Sequence, residues 1–334
     1  MKLNIYKITQ MKIFWPLVAL AVLLLLNLFL LPGFFSIQIK DWHLFGSVID
    51  ILNRAMPLLI ISLGMTLVIA KEGIDISVGS VLAISGALAA AMMENTSVWV
   101  ALLAAVGVGI ICGLWNGVLV SVFEIQPMVA TLILLTVGRG IAQLITGGQI
   151  LSIDNGIYQY FGSGFFLGLP FPIFIGAAIF LIMMYLKKRT AMGLFLESIG
   201  NNMTASKFAG IQPKKMILLV YTICGVCAAI AGILVSANVS SADANNAGLW
   251  IELDAILAVV IGGTSMRGGR YFLGGTIIGA FFIQTLSTTI YSVGINPQIV
   301  MVVKAIVVIL VCLFQSQEFR KLFLKFTKKK VSFS

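Results

Sequence analysis

The chain has 334 residues, 60% of them hydrophobic and 10% charged, with a mean hydropathy of +1.07. A water-soluble domain of this size cannot hide so much apolar surface, so the surrounding medium is read as lipid, with no soluble domain left over. The formal charge of +10 would suit a nucleic-acid partner on a solvated face, but the basic residues cluster between apolar runs, where they report topology and no nucleic-acid partner is expected.

A bilayer crossing takes about 20 apolar residues, which leaves room for roughly eight to eleven helices. The first apolar run, Ile13–Leu31, follows Lys2, Lys7 and Lys12 as a secretory signal would. It is longer than a signal core, and Leu31-Pro32-Gly33-Phe34-Phe35 has no small-x-small cleavage pattern, so it is expected to be retained. The later runs are Ala55–Ala70, Ile76–Met93, Val98–Phe123, Met128–Thr146, Phe171–Leu186, Met216–Ala237, Ile251–Gly263, Phe272–Tyr291 and Ile299–Gln315. The pattern predicts an all-α polytopic membrane protein of about ten spans, one transmembrane domain over residues 1–334. Several runs are short or interrupted by glycine, as in broken helices that line a cavity.

Charge sets the expected orientation. Of the 22 Lys and Arg, all but Lys40, Arg54, Arg139 and Lys304 fall on one side if ten spans are threaded with both termini in the cytoplasm. The largest inner segment, Lys187–Lys215, mixes charge with Ala, Gly and Leu and is predicted to form short helices. The largest outer segment, Gly147–Pro170, is aromatic and glycine-rich and is predicted to lie along the membrane surface. His43, the one histidine, is placed in a solvated outer loop. Cys112, Cys224, Cys227 and Cys312 all lie in apolar runs as small hydrophobes; Cys224-x-x-Cys227 has no second pair or adjacent histidine, so no metal site is expected.

Three stretches carry chemistry. In Lys71-Glu72-Gly73-Ile74-Asp75-Ile76-Ser77-Val78-Gly79-Ser80, an acid followed by Ser and Gly ends one helix and starts the next; Asp75 or Ser77 either caps exposed N–H groups or takes part in a substrate path. In Glu197-Ser198-Ile199-Gly200-Asn201-Asn202-Met203-Thr204-Ala205-Ser206-Lys207-Phe208-Ala209-Gly210-Ile211, small residues allow a close seat and the preceding acid suits a helix N-terminus. The third runs from Ala242-Asp243-Ala244-Asn245-Asn246 through Glu252-Leu253-Asp254-Ala255-Ile256 to Gly262-Gly263-Thr264-Ser265 and Gly268-Gly269-Arg270. Glu252 and Asp254 enter an apolar run and must face protein or a wet cavity, paired with Arg139 or Lys304 or acting in transport.

These stretches resemble the signatures of the ribose-type permeases of ABC sugar importers: G-G-I-D-L-S-V-G, the coupling loop, and E-L-D-A-I followed by V-I-G-G-T-S and G-G-R. The resemblance runs from about Leu44 to Ser316. Lys71 and Glu72 depart from the small residues usual in that family, as do Ser206 and Lys207 in the loop. Segments such as G-L-W-N-G-V-L-V and A-D-A-N-N-A-G-L-W-I-E-L-D-A-I resemble the galactofuranose permeases within it. The resemblance implies a galactofuranose or galactose substrate, an inner-membrane location, a second permease subunit, an extracytoplasmic binding protein and a separate ATPase docked on residues 187–215. It marks Glu197, Gly200, Asn201, Ala205 and Gly210 as coupling residues.

No glycine-rich loop ending in Gly-Lys-Ser or Gly-Lys-Thr occurs, so ATP is expected on a partner chain and no cofactor on this one. A neutral sugar calls for uncharged polar groups within spans. Asn116, Gln126, Thr131, Gln143, Gln284 and Thr288 fit, and Asn246 joins them, though each could equally bridge neighbouring helices. The alternative from another class is an ion- or proton-coupled secondary transporter with Asp75, Glu252 and Asp254 as carriers. An enzyme fits poorly with one loop histidine and no ligand cluster.

Overall fold

The computed structural model describes residues 13–40 and 42–315. Lys2, Lys7, Lys12, the basic stretch after Gln315 and the side chain of Cys312 lie outside the described residues, and with them part of the charge pattern on which the orientation rests.

A helix occupies each of the ten apolar runs. In chain order the helices are α1 (Phe14–Leu30), α2 (Ser47–Ala70), α3 (Val78–Met93), α4 (Val98–Ser121), α5 (Pro127–Thr146), α6 (Gly156–Ser163), α7 (Phe171–Arg189), α8 (Ala191–Asn201), α9 (Met203–Phe208), α10 (Pro213–Val239), α11 (Ile251–Ile261), α12 (Leu273–Ser292) and α13 (Pro297–Gln315). Three short antiparallel ladders join β1 (Gln38–Lys40) to β2 (His43–Phe45), β3 (Ile150–Ser152) to β6 (Ser241–Asp243), and β4 (Phe165–Phe166) to β5 (Leu169–Pro170). Among the described residues, six helices, α2, α4, α5, α7, α10 and α12, are long and apolar enough to cross a membrane. This is a multi-pass membrane protein.

Local chemistry sets the helix ends. Proline stands in the first turn of α5, α7 and α10, where its missing N–H costs nothing. Gly147, at φ +60°, closes α5. Helix α2 begins eight residues before the apolar run at Ala55, and in this extension Asp50 and Arg54 pair across one turn at 3.4 Å on its exposed side.

Helix α10 is the axis of the core, packed against α2, α3 and α4. Lipid tails are as apolar as the helices, so close backbone approach, not a hydrophobic drive, holds such pairs together. A Cβ at Gly109 of α4 would stand 2.5 Å from Ala229 Cβ and 2.6 Å from the Gly225 carbonyl of α10. Cys112, Cys224 and Cys227 are free and buried, the last two against Gly64 of α2.

Two further features differ from the sequence expectation. The 147–170 segment does not simply lie on the surface: α6 is seated on the C-terminal end of α10, with Tyr158 fully buried and its hydroxyl 2.7 Å from the Ser236 hydroxyl, and Asn238 donating to the Gly162 carbonyl at 2.9 Å. A side chain at Gly162 would overlap the Asn238 backbone, so glycine permits the contact. His43 is half-buried, its ring centroid 4.4 Å from that of Phe165, because the β1–β2 ladder turns it onto the aromatic cluster.

Candidate functional site

Two breaks between helices gather most of the candidate polar side chains. The first separates α2 from α3. Glu72 takes a left-handed φ of +67°, Gly73 N–H donates to the Val68 carbonyl at 3.0 Å, and the chain folds back into the bundle. Asp75, 1% exposed, accepts from the Ser77 N–H at 3.0 Å and the Ser77 hydroxyl at 2.6 Å. Asn116 of α4 donates to the Ser77 hydroxyl at 2.8 Å and reaches Asp75 at 3.5 Å. Thr131 of α5 accepts from the Ile76 N–H at 3.3 Å, and Ser80 donates to the Leu134 carbonyl at 3.1 Å. Asp75, Ser77, Asn116 and Thr131 thus form one buried knot that ties α3, α4 and α5 together. Its Asn116 Oδ1 and the nearby Tyr221 hydroxyl have no hydrogen-bond partner among the described residues.

Sequence reasoning passed over two members of this knot. Lys71 is 7% exposed and holds its ammonium 4.6 Å from the centre of the Tyr221 ring of α10. Burial pulls its pKa down to about 8, against a smaller upward pull from Asp75. The pairing joins residues 150 positions apart, and nothing local in the sequence signals it.

The second break precedes α11. With 11 residues, α11 spans about 16 Å, and the 16 residues of α3 span about 24 Å; both fall short of a hydrocarbon core of roughly 30 Å. Their N-terminal turns meet. A Cβ at Gly79 would lie 2.5 Å from Glu252 Oε2 and 2.6 Å from the Gly248 carbonyl. Glu252, 6% exposed, therefore sits between the positive ends of two short helices, which favour an anion there. Its Oε2 has no hydrogen-bond partner among the described residues.

Arg139 of α5 does not form an ion pair with Glu252. Its guanidinium donates to the carbonyls of Ala244 at 3.1 Å and Ala247 at 2.7 Å, satisfying the unwound backbone that leads into α11. Gln143 donates to Asn245 at 2.7 Å, and Asn246 to Asp243 at 2.8 Å; the Asn246 amide, two backbone N–H groups and Arg139 hold the Asp243 carboxyl below its ordinary pKa. A cavity of about 360 Å³ opens beside Asp243, Asn246 and Gly248. Asp254 pairs with Lys304 of α13 at 2.7 Å. Gln284 stands apart, bonded to Thr288 in its own helix at 3.4 Å, and Gln126 is exposed at the mouth of a cavity of about 470 Å³ with Lys71, Lys207 and Lys214.

The 187–215 segment forms the two short helices its composition predicts. Thr190 caps α8 and Asn202 caps α9 through side-chain acceptance of backbone N–H groups. The expected coupling residues divide between two faces. Gly200 is buried, with a side chain there certain to overlap the Ala70 carbonyl and the Gly269 N–H, which bond each other at 2.8 Å. Glu197 pairs with Lys187 at 3.3 Å, and Lys187 also lies 3.7 Å from the centre of the Tyr271 ring and donates to the Tyr271 carbonyl. Asn201 is exposed, with its side chain close over Gly269. Ala205 and Gly210 face outward, together with Phe208, which is 90% exposed. Phe208 was legible in principle, as a large aromatic side chain stranded in a basic loop.

Residues 47–312 match the family described as branched-chain amino acid transport system / permease component. The chain belongs to that permease family. Among its relatives, the galactofuranose transporter permease protein YtfT of Escherichia coli is 50% identical over 311 residues, 91% of each chain. The fructose import permease protein FruF of Bifidobacterium longum is 37% identical over 334 residues, covering 97% of this chain and 93% of that one. The ribose import permease protein RbsC of Escherichia coli is 36% identical over 307 residues, covering 90% and 93%. The resemblance to ribose-type sugar permeases expected from the three motifs is borne out. No solved structure matches the chain.

Proposed function

We propose that the chain is the membrane-spanning subunit of an ATP-driven importer in the cell inner membrane that takes up galactofuranose or a galactose-type sugar. The observation that carries the reading is the 50% identity, over 91% of both chains, to a galactofuranose transporter permease. In this reading ten helices cross the membrane with both termini in the cytoplasm, α3 and α11 being the two halves of a broken path. A binding protein delivers sugar at the outer loops, and a second permease subunit, identical or related, completes the enclosure. A separate ATPase grips α8 and α9.

The arrangement supports a division of labour in that inner segment. Ala205, Phe208 and Gly210 form the outward face that meets the ATPase, while Glu197, Gly200 and Asn201 seat α8 on the end of α2 and the Gly268-Gly269 turn. Movement of the segment bears directly on Ala70 and hence on the break at Asp75. The path itself is assigned to the meeting of the two breaks: Asp75, Ser77, Asn116, Thr131, Gln143, Asn246 and Glu252, with Gln126 at the inner mouth. Discontinuous helices suit such a site, because unwound backbone offers donors and acceptors to a neutral hydroxylated solute. Gln284 and Asp254, each engaged elsewhere, are its outlying candidates.

Uptake of labelled galactofuranose, galactose and ribose, in cells with and without this chain, tests the proposal. Galactofuranose or galactose is expected to enter faster with the chain present, and only while the ATPase partner is active. Equal entry of all three sugars overturns the substrate; uptake that persists without the ATPase and follows an ion gradient overturns the importer in favour of a secondary transporter.

A further inference from the structure

Lys71 stands where the related permeases carry a small residue, and the proposed path makes no use of it. The residue is 7% exposed, and its ammonium rests over the Tyr221 ring with no ion pair or hydrogen bond among the described residues. Asp75, whose charge bears on it, is engaged with Ser77 instead. A buried charge without a partner is costly. Burial lowers this pKa only to about 8, so the ammonium keeps its proton at neutral pH. A Cβ at Gly73 would stand 3.0 Å from both the Lys71 ammonium and the Tyr221 hydroxyl, so glycine at the break leaves the ammonium its place.

Lys71 lines the cavity of about 470 Å³ at whose mouth Gln126 lies. Ser121 of α4 lines the same cavity at 4% exposed, and its hydroxyl also has no hydrogen-bond partner among the described residues. Buried polar groups are ordinarily satisfied, so two unsatisfied ones on one cavity wall point to a ligand. Lys207 of α9 and Lys214 of α10 stand exposed at its rim, the latter 3.6 Å from Glu124. Met203 and Lys207, four residues apart, share the side of α9 turned to the cavity. Ala205 and Phe208, assigned to the ATPase contact, fall on the other side of that helix.

The occupant is narrowed by charge and by size. Lysines call for an anion, and a phosphate monoester brings close to two negative charges with three acceptor oxygens. Glu72 and Glu124, which also line the cavity, repel a bare phosphate but accept hydrogen bonds from hydroxyl groups. The volume is that of a small-ligand site. We infer that the cavity binds a phosphorylated sugar, its phosphate on Lys71, Ser121 and Lys207 and its hydroxyls toward Gln126 and the two glutamates. Transfer of a phosphoryl group to imported sugar is the class of reaction that supplies such a ligand. Gln126 marks the inner mouth of the proposed path, so the ligand stands in the exit and ties α9 to the break at Lys71. Import therefore slows as its phosphorylated product accumulates. That consequence rests on the proposed function, whereas the binding rests on the cavity alone.

The test titrates the full chain, with its ATPase partner in nanodiscs, with galactose 6-phosphate, inorganic phosphate and galactose by calorimetry. Galactose 6-phosphate is expected to bind roughly tenfold or more tighter than either of the others. Lys71→Met and Ser121→Ala are each expected to weaken it roughly tenfold or more while leaving any galactose binding unchanged. Lys207→Gln, on an exposed side chain that folding does not need, should weaken it about two- to fivefold. In proteoliposomes, galactose 6-phosphate trapped on the ATPase side should slow ATP-dependent uptake severalfold, an effect that Lys71→Met and Ser121→Ala remove. Equal affinity for inorganic phosphate, or unchanged affinity in both folded variants, overturns the site. Binding that leaves uptake undiminished overturns the restraint by product. Loss of ATP dependence with binding intact strikes the importer reading instead and leaves the site standing.

Discussion

Lys304 of α13 and Asp254 of α11 stand 2.7 Å apart, with only 16% and 24% of their side chains exposed. The pair bolts the outlying helix α13 to the short helix at the second break, in surroundings where either charge alone has no ready substitute for its partner. Lys304→Ala or Asp254→Ala is expected to cost about 3 kcal/mol or more, whereas Lys304→Met with Asp254→Leu together should be close to neutral. Thermal unfolding of the singles and the double in detergent closes the cycle; additive single effects would show that the two side chains act independently.

Gly200 and Gly107 make a matched comparison. A methyl group at Gly200 must displace the end of α2 or the Gly268-Gly269 turn, while one at Gly107 meets nothing within 4 Å. Gly200→Ala is expected to lower stability by about 1–3 kcal/mol and to abolish ATP-dependent sugar uptake while the chain still inserts. Gly107→Ala should leave uptake intact and add about 0.5–1 kcal/mol by removing a helical glycine. Normal uptake by Gly200→Ala would remove α8 from the proposed coupling route.

Phe208 tests the outward face of the same segment. At 90% exposed it contributes little to folding, so Phe208→Ala is expected to change stability by no more than about 0.5 kcal/mol. As an aromatic anchor for a partner groove it should matter far more, with co-purification of the ATPase falling at least tenfold. Unchanged recovery of the ATPase would move the docking contact elsewhere.

Lys71 carries a pH signature. Its ammonium is held at a pKa of about 8, below the ordinary lysine value of 10.5, chiefly by burial. Between these values the unfolded chain binds the proton that the folded one has released, so stability rises with pH across the window. The cost of burying the charge is fully present below pH 8 and is relieved by pH 10.5, a change of roughly 3 kcal/mol at most. Thermal unfolding from pH 7.5 to 10.5 should show the rise in the unaltered protein and lose it in Lys71→Met. A parallel rise in both would assign the effect to other groups.

Much of the fold was legible because bilayer thickness disciplines length: each apolar run became a helix, and the two shortest of those ten helices, α3 and α11, turned out to start at the breaks. The composition of residues 187–215 likewise announced short helices. What the sequence withheld was facing. Helices that are apolar all round have no stripe to orient them, so the seat of α10 against α4 depends on glycines whose neighbours are known only in three dimensions. Arg139 is instructive: charge balance suggested a carboxylate partner, but unwound backbone carbonyls compete for a guanidinium inside the membrane, and here Ala244 and Ala247 take it. Glu197 faces Lys187 rather than outward for a similar reason, since a basic side chain one helix away reaches it first.

Helix α10 touches polar assemblies at both of its ends. Its C-terminal end carries the Tyr158 contact, its first third presents Tyr221 to Lys71, and its N-terminal end follows closely on the α9 turn. Twenty-seven residues without a break make it a strut of about 40 Å. A push delivered at either face of the membrane is therefore felt at the opposite one through a single stiff member, and the broken helices beside it are the parts left free to yield.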